Sequence, residues 1–265
     1  MEMKKLHVIK IGGNIIDDPQ LLDDFLNKFN SIKDLKILVH GGGKLATNLA
    51  DLMGVKQTMI EGRRITDLET LNITVMVYAG LINKTIVAKL QAKNCNAIGY
   101  SGADGNLIRS EKRVHTQIDY GYVGDIIDGG VDVQQFRGIL SSGLIPIICP
   151  ITHDGSGNLL NTNADTMASK IASELATLFE VTLTFCFEKN GVLMDVENDS
   201  SFLQSLNKEQ YLKLKSQQII SKGMIPKLDN AFEALNKNVK SVTICNGQHI
   251  SDSENQITGT KLVQS

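Results

Sequence analysis

Strands alternating with helices predict an α/β protein built on a mostly parallel central sheet. Three observations carry the prediction. Short apolar runs recur at 8–11, 35–40, 144–149 and 181–187; apolar residues at helical spacing fill 19–29 and 163–178; and glycines follow the first two apolar runs directly, at Gly12 and Gly13 and at Gly41 to Gly43. With 265 residues, 42% of them hydrophobic, the chain can bury a core in one large or two smaller lobes.

The run Val8-Ile9-Lys10-Ile11-Gly12-Gly13 reads as a strand that delivers a lysine and then two glycines. Residues 19–29 follow with Leu22, Phe25, Leu26 and Phe29 on one helical face, then a strand at 35–40 and a helix from near Lys44. Residues 68–90 read as one long helix with the stripe Leu71, Val75, Tyr78, Ile82 and Ile86. Ile73, Met76 and Val77 lie on its other faces, the mark of a helix covered on more than one side. A strand is expected at 94–100, part of a hairpin at 121–128 and a buried strand at 144–149. Residues 163–178 give the clearest helix, with Ala164, Met167, Ala168, Ile171, Ala172, Leu175 and Leu178 in phase. A buried strand at 181–187 ends near the turn pair Asn190-Gly191. Pro226 suits the first turn of a helix carrying Leu228, Ala231, Phe232 and Leu235. Strands at 241–245 and 259–263 close the chain.

Composition excludes several classes. A net charge of −2 leaves no basic footprint for nucleic acid. Cys95, Cys149, Cys186 and Cys245 show no CxxC or Cys/His ligand spacing, so reduced, buried thiols in a cytoplasmic protein are expected and no metal site is assigned. No basic segment precedes a long apolar stretch, and the apolar run at 144–151 is interrupted by Pro146 and Pro150, which argues against export or membrane insertion. His7, His40, His115, His153 and His249 share no spacing that suggests a metal site or triad and read as structural or exposed.

The two strand-to-glycine junctions place bare backbone N–H groups, and one cation, where an anion can sit. A tight turn accounts for each glycine cluster equally well. Gly41-Gly42-Gly43-Lys44 is neither a Walker A loop, since Leu45 stands where Ser or Thr is needed, nor GxGxxG. Lys10 is harder to explain as structure, because a lysine inside an apolar strand must reach water or meet negative charge. Asn163 is a good N-cap and Asp165 suits the first turn of its helix, whereas Asn161 precedes the helix and has no capping role. In Gly223-Met224-Ile225-Pro226-Lys227 a lysine falls in a first helical turn, where its charge opposes the helix dipole and a phosphate would reverse the penalty. Arg63 and Arg64 are a surface pair or a carboxylate clamp.

In this order and spacing, VIKIGG at 8–13, VHGGGK at 39–44, GRRIT at 62–66, LLNTNAD at 159–165 and GMIPK at 223–227 resemble the amino-acid kinase family. The resemblance is closest to the branch that phosphorylates the side-chain carboxylate of N-acetyl-L-glutamate in arginine biosynthesis. It implies a three-layer α/β/α sandwich with a mainly parallel sheet and two lobes, residues 1–175 holding the acylated amino acid and mediating dimerisation, and residues 176–265 holding ATP. It implies that Lys10 and Lys227 flank the transferred phosphoryl group, that Asp165 holds those lysines, and that amides of Gly13, Gly42 and Gly43 bind phosphoryl or carboxylate oxygens. Arg64 would clamp the substrate α-carboxylate and Asn161 its amide region. Glu188, Lys189, Asn190, Gly191, Val192 and Leu193, with Ile219, Ile220 and Ser221, match positions that line the nucleotide. Mg²⁺ would be held mainly by the ATP phosphates. A carboxylate with pKa of about 4.3 is already ionised at neutral pH, so no general base is needed, and catalysis falls to alignment and charge stabilisation.

Two departures from the family pattern stand out. Glu188 replaces a commoner aspartate beside the nucleotide, and Arg63 precedes Arg64 where an apolar residue is usual. Arg63 pairing with a second carboxylate would make N-succinyl-L-glutamate the substrate. Arginine-inhibited members of the family resemble hexameric rings joined by an extra N-terminal helix, whereas this chain enters its first strand by about residue 6; a homodimer joined in part through 68–90, without arginine feedback, is the expectation. A kinase of the same family acting on carbamate, a nucleoside monophosphate or free glutamate would change the substrate clamp. An aspartokinase-like protein would carry a further C-terminal regulatory domain. A non-catalytic amino-acid sensor of the same fold is the reading from another class, and ATP turnover separates it.

Overall fold

A computed structural model describes residues 3–60, 63–195, 197–220, 223–251 and 258–264, with the backbone alone at Arg63. Ser221, and Gly62 of the GRRIT run, lie outside the described residues.

In chain order, β1 (Lys5–Ile11) leads into α1 (Gly13–Asp17), α2 (Pro19–Ser31), β2 (Leu35–His40) and α3 (Gly43–Leu52). The short pair β3 (Met59–Ile60) and β4 (Arg63–Arg64) precedes a continuous helical run made of α4 (Leu68–Val75), a π-helical stretch (Met76–Ile82) and α5 (Asn83–Gln91). Then come β5 (Ala97–Tyr100), β6 (Ile108–Lys112), β7 (Gly124–Val131), α6 (Val133–Ser141), β8 (Ile145–Ile148), β9 (Ile151–His153), β10 (Leu159–Asn161) and α7 (Ala164–Leu175). β11 (Glu180–Phe187), β12 (Ser205–Asn207), α8 (Lys208–Ser216), α9 (Ile225–Asn236), β13 (Ser241–Asn246) and β14 (Gly259–Val263) complete the order.

The chain forms two compact units, one of residues 1–38 with 168–265 and the other of residues 39–167. They are not consecutive along the chain. The sequence reading divides the chain once, at residue 175, whereas the first unit draws on both ends because β1, between β2 and β11 in the sheet, pairs in parallel with a strand from far along the chain.

In the first unit the strand order is β12-β14-β13-β11-β1-β2. β1 with β11, β11 with β13 and β12 with β14 are parallel, and β13 with β14 is antiparallel. β1 and β11 are buried along nearly their whole length, which explains their continuous apolar runs. α2 forms as its spacing predicts. Asp18 caps it by accepting from the N–H groups of Gln20 and Leu21, Pro19 occupies its first turn, and Leu22, Phe25, Leu26 and Phe29 are buried. Each such side chain contributes about 1.5–3 kcal/mol on removal from water. Lys36, inside the apolar β2, has a structural role. Its Nζ donates to the carbonyl oxygens of Phe29, Asn30 and Ile32 at 2.9, 3.0 and 2.7 Å, closing the C-terminus of α2. α9 begins at Ile225 with Pro226 in its first turn and buries Leu228, Ala231, Phe232 and Leu235. α8, which the apolar spacing does not reveal, is set by a capping box between Asn207 and Gln210.

In the second unit β5 and β8 pair in parallel, and a separate 4-stranded sheet has the order β10-β9-β6-β7. The hairpin expected around 121–128 is β7 running antiparallel to β6. The strand expected at 94–100 starts only at Ala97, because Asn94 turns with φ 58°. The long helix is present but is not uniformly α-helical. Its π stretch appears in the N–H of Asn83 reaching the carbonyl of Tyr78, five residues back. Residues 68–91 are long and apolar enough to cross a bilayer by length and composition alone. Leu71, Ile73, Val77, Tyr78, Ile82, Ile86 and Leu90 are buried, as in the core helix of a folded unit.

Candidate active site

The second unit contains a cavity of about 190 Å³ bordered by Gly41, Gly42, Gly43, Arg64, Tyr78, Asn161 and the residues that follow to Ala164, with Met59, Val123 and Pro150 supplying apolar wall. Arg64 is only 8% exposed. Its guanidinium is held by three acceptors. Nη2 donates to the Gly43 carbonyl at 2.8 Å and to Thr47 Oγ1 at 2.9 Å, and Nη1 donates to Gln57 Oε1. Gln57 is itself oriented by donating from Nε2 to Thr70 Oγ1 at 3.2 Å. Tyr78 lies against the same cation: burial pushes its hydroxyl pKa up, while the Arg64 charge and hydrogen bond pull it down.

β2 ends at His40 and hands the chain to Gly41, and Gly42 precedes the first turn of α3 with no side-chain cap. The first-turn N–H groups of α3 are therefore left for another acceptor. Gly42 has φ 145°, and a Cβ there would sit 2.1 Å from Ile82 Cδ1, so the position requires glycine. Tyr78 and Ile82, four residues apart in the π stretch, face the same glycine. Behind the loop, fully buried His40 places Nδ1 2.8 Å from the Gly41 carbonyl, and Asn83 Nδ2 lies 3.1 Å from His40 Nε2.

At the opposite wall, Asn161 ends β10 with its backbone N–H donating to Tyr122 at 2.8 Å and its Nδ2 to Thr66 Oγ1 at 3.0 Å. Asn163 caps α7 as expected, its Oδ1 accepting from the Thr166 N–H at 2.9 Å. Asp165 lies in the first turn of α7 and is 7% exposed.

In the first unit, Lys10 is 7% exposed and in register with Phe185 of β11. Gly12 donates to the Cys186 carbonyl at 2.9 Å, and Gly13 opens α1, again with no side-chain cap. The Cys186 thiol is pushed up by burial and by neighbouring Cys245, whose sulfur is 3.9 Å away, with Lys10 acting in the opposite sense. A separate cavity of about 300 Å³ is lined by Phe187, Glu188, Lys189, Gly191, Val192, Leu193, Ile220, Gly223, Met224 and Lys227. Its apolar walls suit an aromatic base, and Lys189 and Lys227 suit phosphate. Most of the residues named from sequence for the nucleotide meet here. Asn190 instead turns toward the Asp199 carbonyl, to which it donates at 3.4 Å, and Ile219 does not border the cavity. Lys189 is tied to Asp199 at 2.8 Å, a hydrogen bond that raises its pKa. Among the described residues no group of three or more His, Cys, Asp or Glu side chains is arranged to hold a metal ion.

Gln57, Thr47 and Tyr78 had no sequence signal as site residues, because a polar partner of an arginine is recognisable only once the fold brings it near. Phe187 adjoins the 188–193 segment and Gly223 and Met224 lie within GMIPK, both of which did give a signal.

The family model described as "Amino acid kinase family" matches residues 5–246. The chain belongs to the amino acid kinase family. Acetylglutamate kinase of Cytophaga hutchinsonii is 53% identical over 264 residues, covering 98% of this chain and 99% of that one. Acetylglutamate kinase of Bacteroides thetaiotaomicron is 47% identical over 259 residues, covering 98% of each. Among solved structures, N-acetylglutamate synthase from Neisseria gonorrhoeae, complexed with coenzyme A and N-acetyl-glutamate, superimposes with a TM-score of 0.82 at 20% identity. That match covers all of this family member and 60% of the synthase chain, a likeness of fold.

Proposed function

We propose that this chain transfers the γ-phosphoryl group of ATP to the side-chain carboxylate of N-acetyl-L-glutamate, giving N-acetyl-L-glutamyl 5-phosphate, the second step of arginine biosynthesis. The observation that carries the reading is 53% identity to an acetylglutamate kinase along 98% of the chain. The site chemistry supports it: a buried guanidinium beside an uncapped helix N-terminus suits a small molecule with two carboxylates.

The residues have distinct roles in this reading. Arg64 binds the substrate α-carboxylate and Asn161 its amide region. Lys10 and Lys227 stabilise charge on the transferred phosphoryl group, Asp165 orders the lysines, and amides of Gly13, Gly42 and Gly43 meet phosphoryl or carboxylate oxygens. The nucleophile is ionised at neutral pH, so none of these groups needs to remove a proton. ATP occupies the cavity lined by Phe187, Glu188, Lys189, Gly191, Val192, Leu193, Ile220, Met224 and Lys227. Mg²⁺ would be held mainly by the ATP phosphates, where it would neutralise charge.

Hydroxylamine trapping of the acyl phosphate tests the reading, with Mg-ATP and N-acetyl-glutamate, N-succinyl-glutamate and free glutamate in parallel. Signal is expected with an N-acylated substrate, and the faster of the two identifies the acyl group. No signal with any of the three overturns the assignment and brings forward a sensor role. The Arg63 backbone pairs with Ile60, and the parallel assay measures whether a second carboxylate is preferred.

The active form we propose is a cytoplasmic homodimer joined in part through the helix at 68–91. Leu68, Met76 and Leu81 on that helix are 57%, 50% and 59% exposed, apolar area that a second copy would cover.

A further inference from the structure

The buried hydrogen bonds behind the glycine loop admit one assignment of protons. A carbonyl oxygen only accepts, so His40 Nδ1, 2.8 Å from the Gly41 oxygen, carries a proton and donates it. Nε2 of a neutral ring then accepts, and Asn83 Nδ2 supplies one hydrogen to it at 3.1 Å and the other to the Ile147 carbonyl at 2.9 Å. Asn83 Oδ1 accepts from Lys84 Nζ at 3.2 Å, so flipping the amide would set oxygen against the Ile147 oxygen and nitrogen against the ammonium. Burial, with Lys84 nearby, lowers the His40 pKa to about 4, which keeps the ring neutral.

We infer that His40 is a positioning residue for phosphoryl transfer: its Nδ1–H fixes the Gly41–Gly42 peptide so that the Gly42 N–H faces the cavity. In a trans peptide the C=O and the following N–H point in opposite directions. Holding the Gly41 oxygen back against the imidazole therefore turns the Gly42 N–H away from the ring, toward the cavity that Gly41, Gly42 and Gly43 border. Asn83 sets the tautomer, and Gly99 leaves it room: a Cβ at Gly99 would lie 1.8 Å from Asn83 Oδ1. The inference rests on the reading of Gly42 as an amide that meets an anionic oxygen during transfer.

The test combines ¹⁵N NMR of the histidine rings in the full-length protein with steady-state kinetics of His40→Phe, His40→Asn and Asn83→Leu. The expected ring is Nδ1-protonated and does not titrate between pH 5 and 8. His40→Phe is expected to lower kcat by about 10²-fold with little change in KM for N-acetyl-glutamate, as for loss of one donor to developing charge. His40→Asn places an amide N–H near the Nδ1 position and should restore most of that loss, while Asn83→Leu should lower kcat by freeing the tautomer. An Nε2-protonated ring, parental kcat in His40→Phe or Asn83→Leu, or a His40→Asn variant as slow as His40→Phe would overturn the inference. Should His40→Phe fail to fold, the tautomer and the Asn83→Leu rate decide. A parent protein that phosphorylates no acylglutamate removes the kinase reading, and the NMR result still judges the hydrogen-bond relay on its own.

Discussion

Arg64 Nη2 donates to the carbonyl oxygen of Gly43 at 2.8 Å, so the cation assigned to the substrate is fastened to the loop assigned to the transferred group. Moving one moves the other.

Arg64→Lys is expected to lose more than charge arithmetic suggests. An ammonium cannot reach Gly43, Thr47 and Gln57 together, whereas the planar guanidinium does. We expect kcat/KM for N-acetyl-glutamate to fall by about 10- to 100-fold, in line with loss of a charge-assisted hydrogen bond of about 1.5–3 kcal/mol. Steady-state kinetics that leave kcat/KM at the parental value would remove Arg64 from the clamp.

Lys10→Met keeps the volume of the buried side chain and deletes its charge. Under the proposed role kcat drops by about 10²-fold or more while the ATP affinity, read by isothermal calorimetry, changes much less. Equal weakening of both would make Lys10 a general nucleotide-binding group instead.

Gly42→Ala should destabilise the fold by about 1–3 kcal/mol, since φ 145° is strained for any L side chain. Combining it with Ile82→Val removes the Cδ1 atom that the new methyl meets and should recover only the steric part of the loss. Urea melts of the two variants measure this, and a Gly42→Ala protein as stable as the parent contradicts it.

Stability should fall in mild acid partly through His40. Its pKa is about 4 in the folded chain against an ordinary 6.5, so between those values the unfolded chain binds more protons. The contribution is complete above pH 6.5 and lost as pH falls toward 4, roughly 3 kcal/mol at full burial. Urea melts at pH 7 and pH 4.5 should show a smaller acid loss for His40→Asn than for the parent; identical losses would mean His40 is not the group that titrates.

Dimer formation predicts that Met76→Asp, on a half-exposed position of the long helix, yields monomers by sedimentation. A monomeric parent, or a dimer unaffected by the change, would place the contact elsewhere.

Much of the first unit was legible because α2, α7 and α9 obey one period and β1 and β11 are buried almost throughout. Of the 4-stranded sheet only the hairpin side at 121–128 was legible, since β9 and β10 are three residues each, too short for alternation to register. The site was legible where chemistry conflicts with structure, as with Lys10 in an apolar strand. Lys36 shows the limit of that argument: an equally buried strand lysine is spent on three helix-end carbonyls. His40 carried no signal because its partner Asn83 is brought in from far along the chain.

The π stretch at Met76–Ile82 makes the spacing along the long helix a quantity under constraint. Each residue added to or removed from an α-helix turns everything beyond it by about 100°. Deleting one residue to restore regular α-helix would leave Tyr78 beside Gly42 but swing Asn83 off His40 and off the space beside Gly99. Insertions and deletions between Tyr78 and Asn83 should therefore be far less tolerated than substitutions there, and chain length becomes as much a part of the site as residue identity.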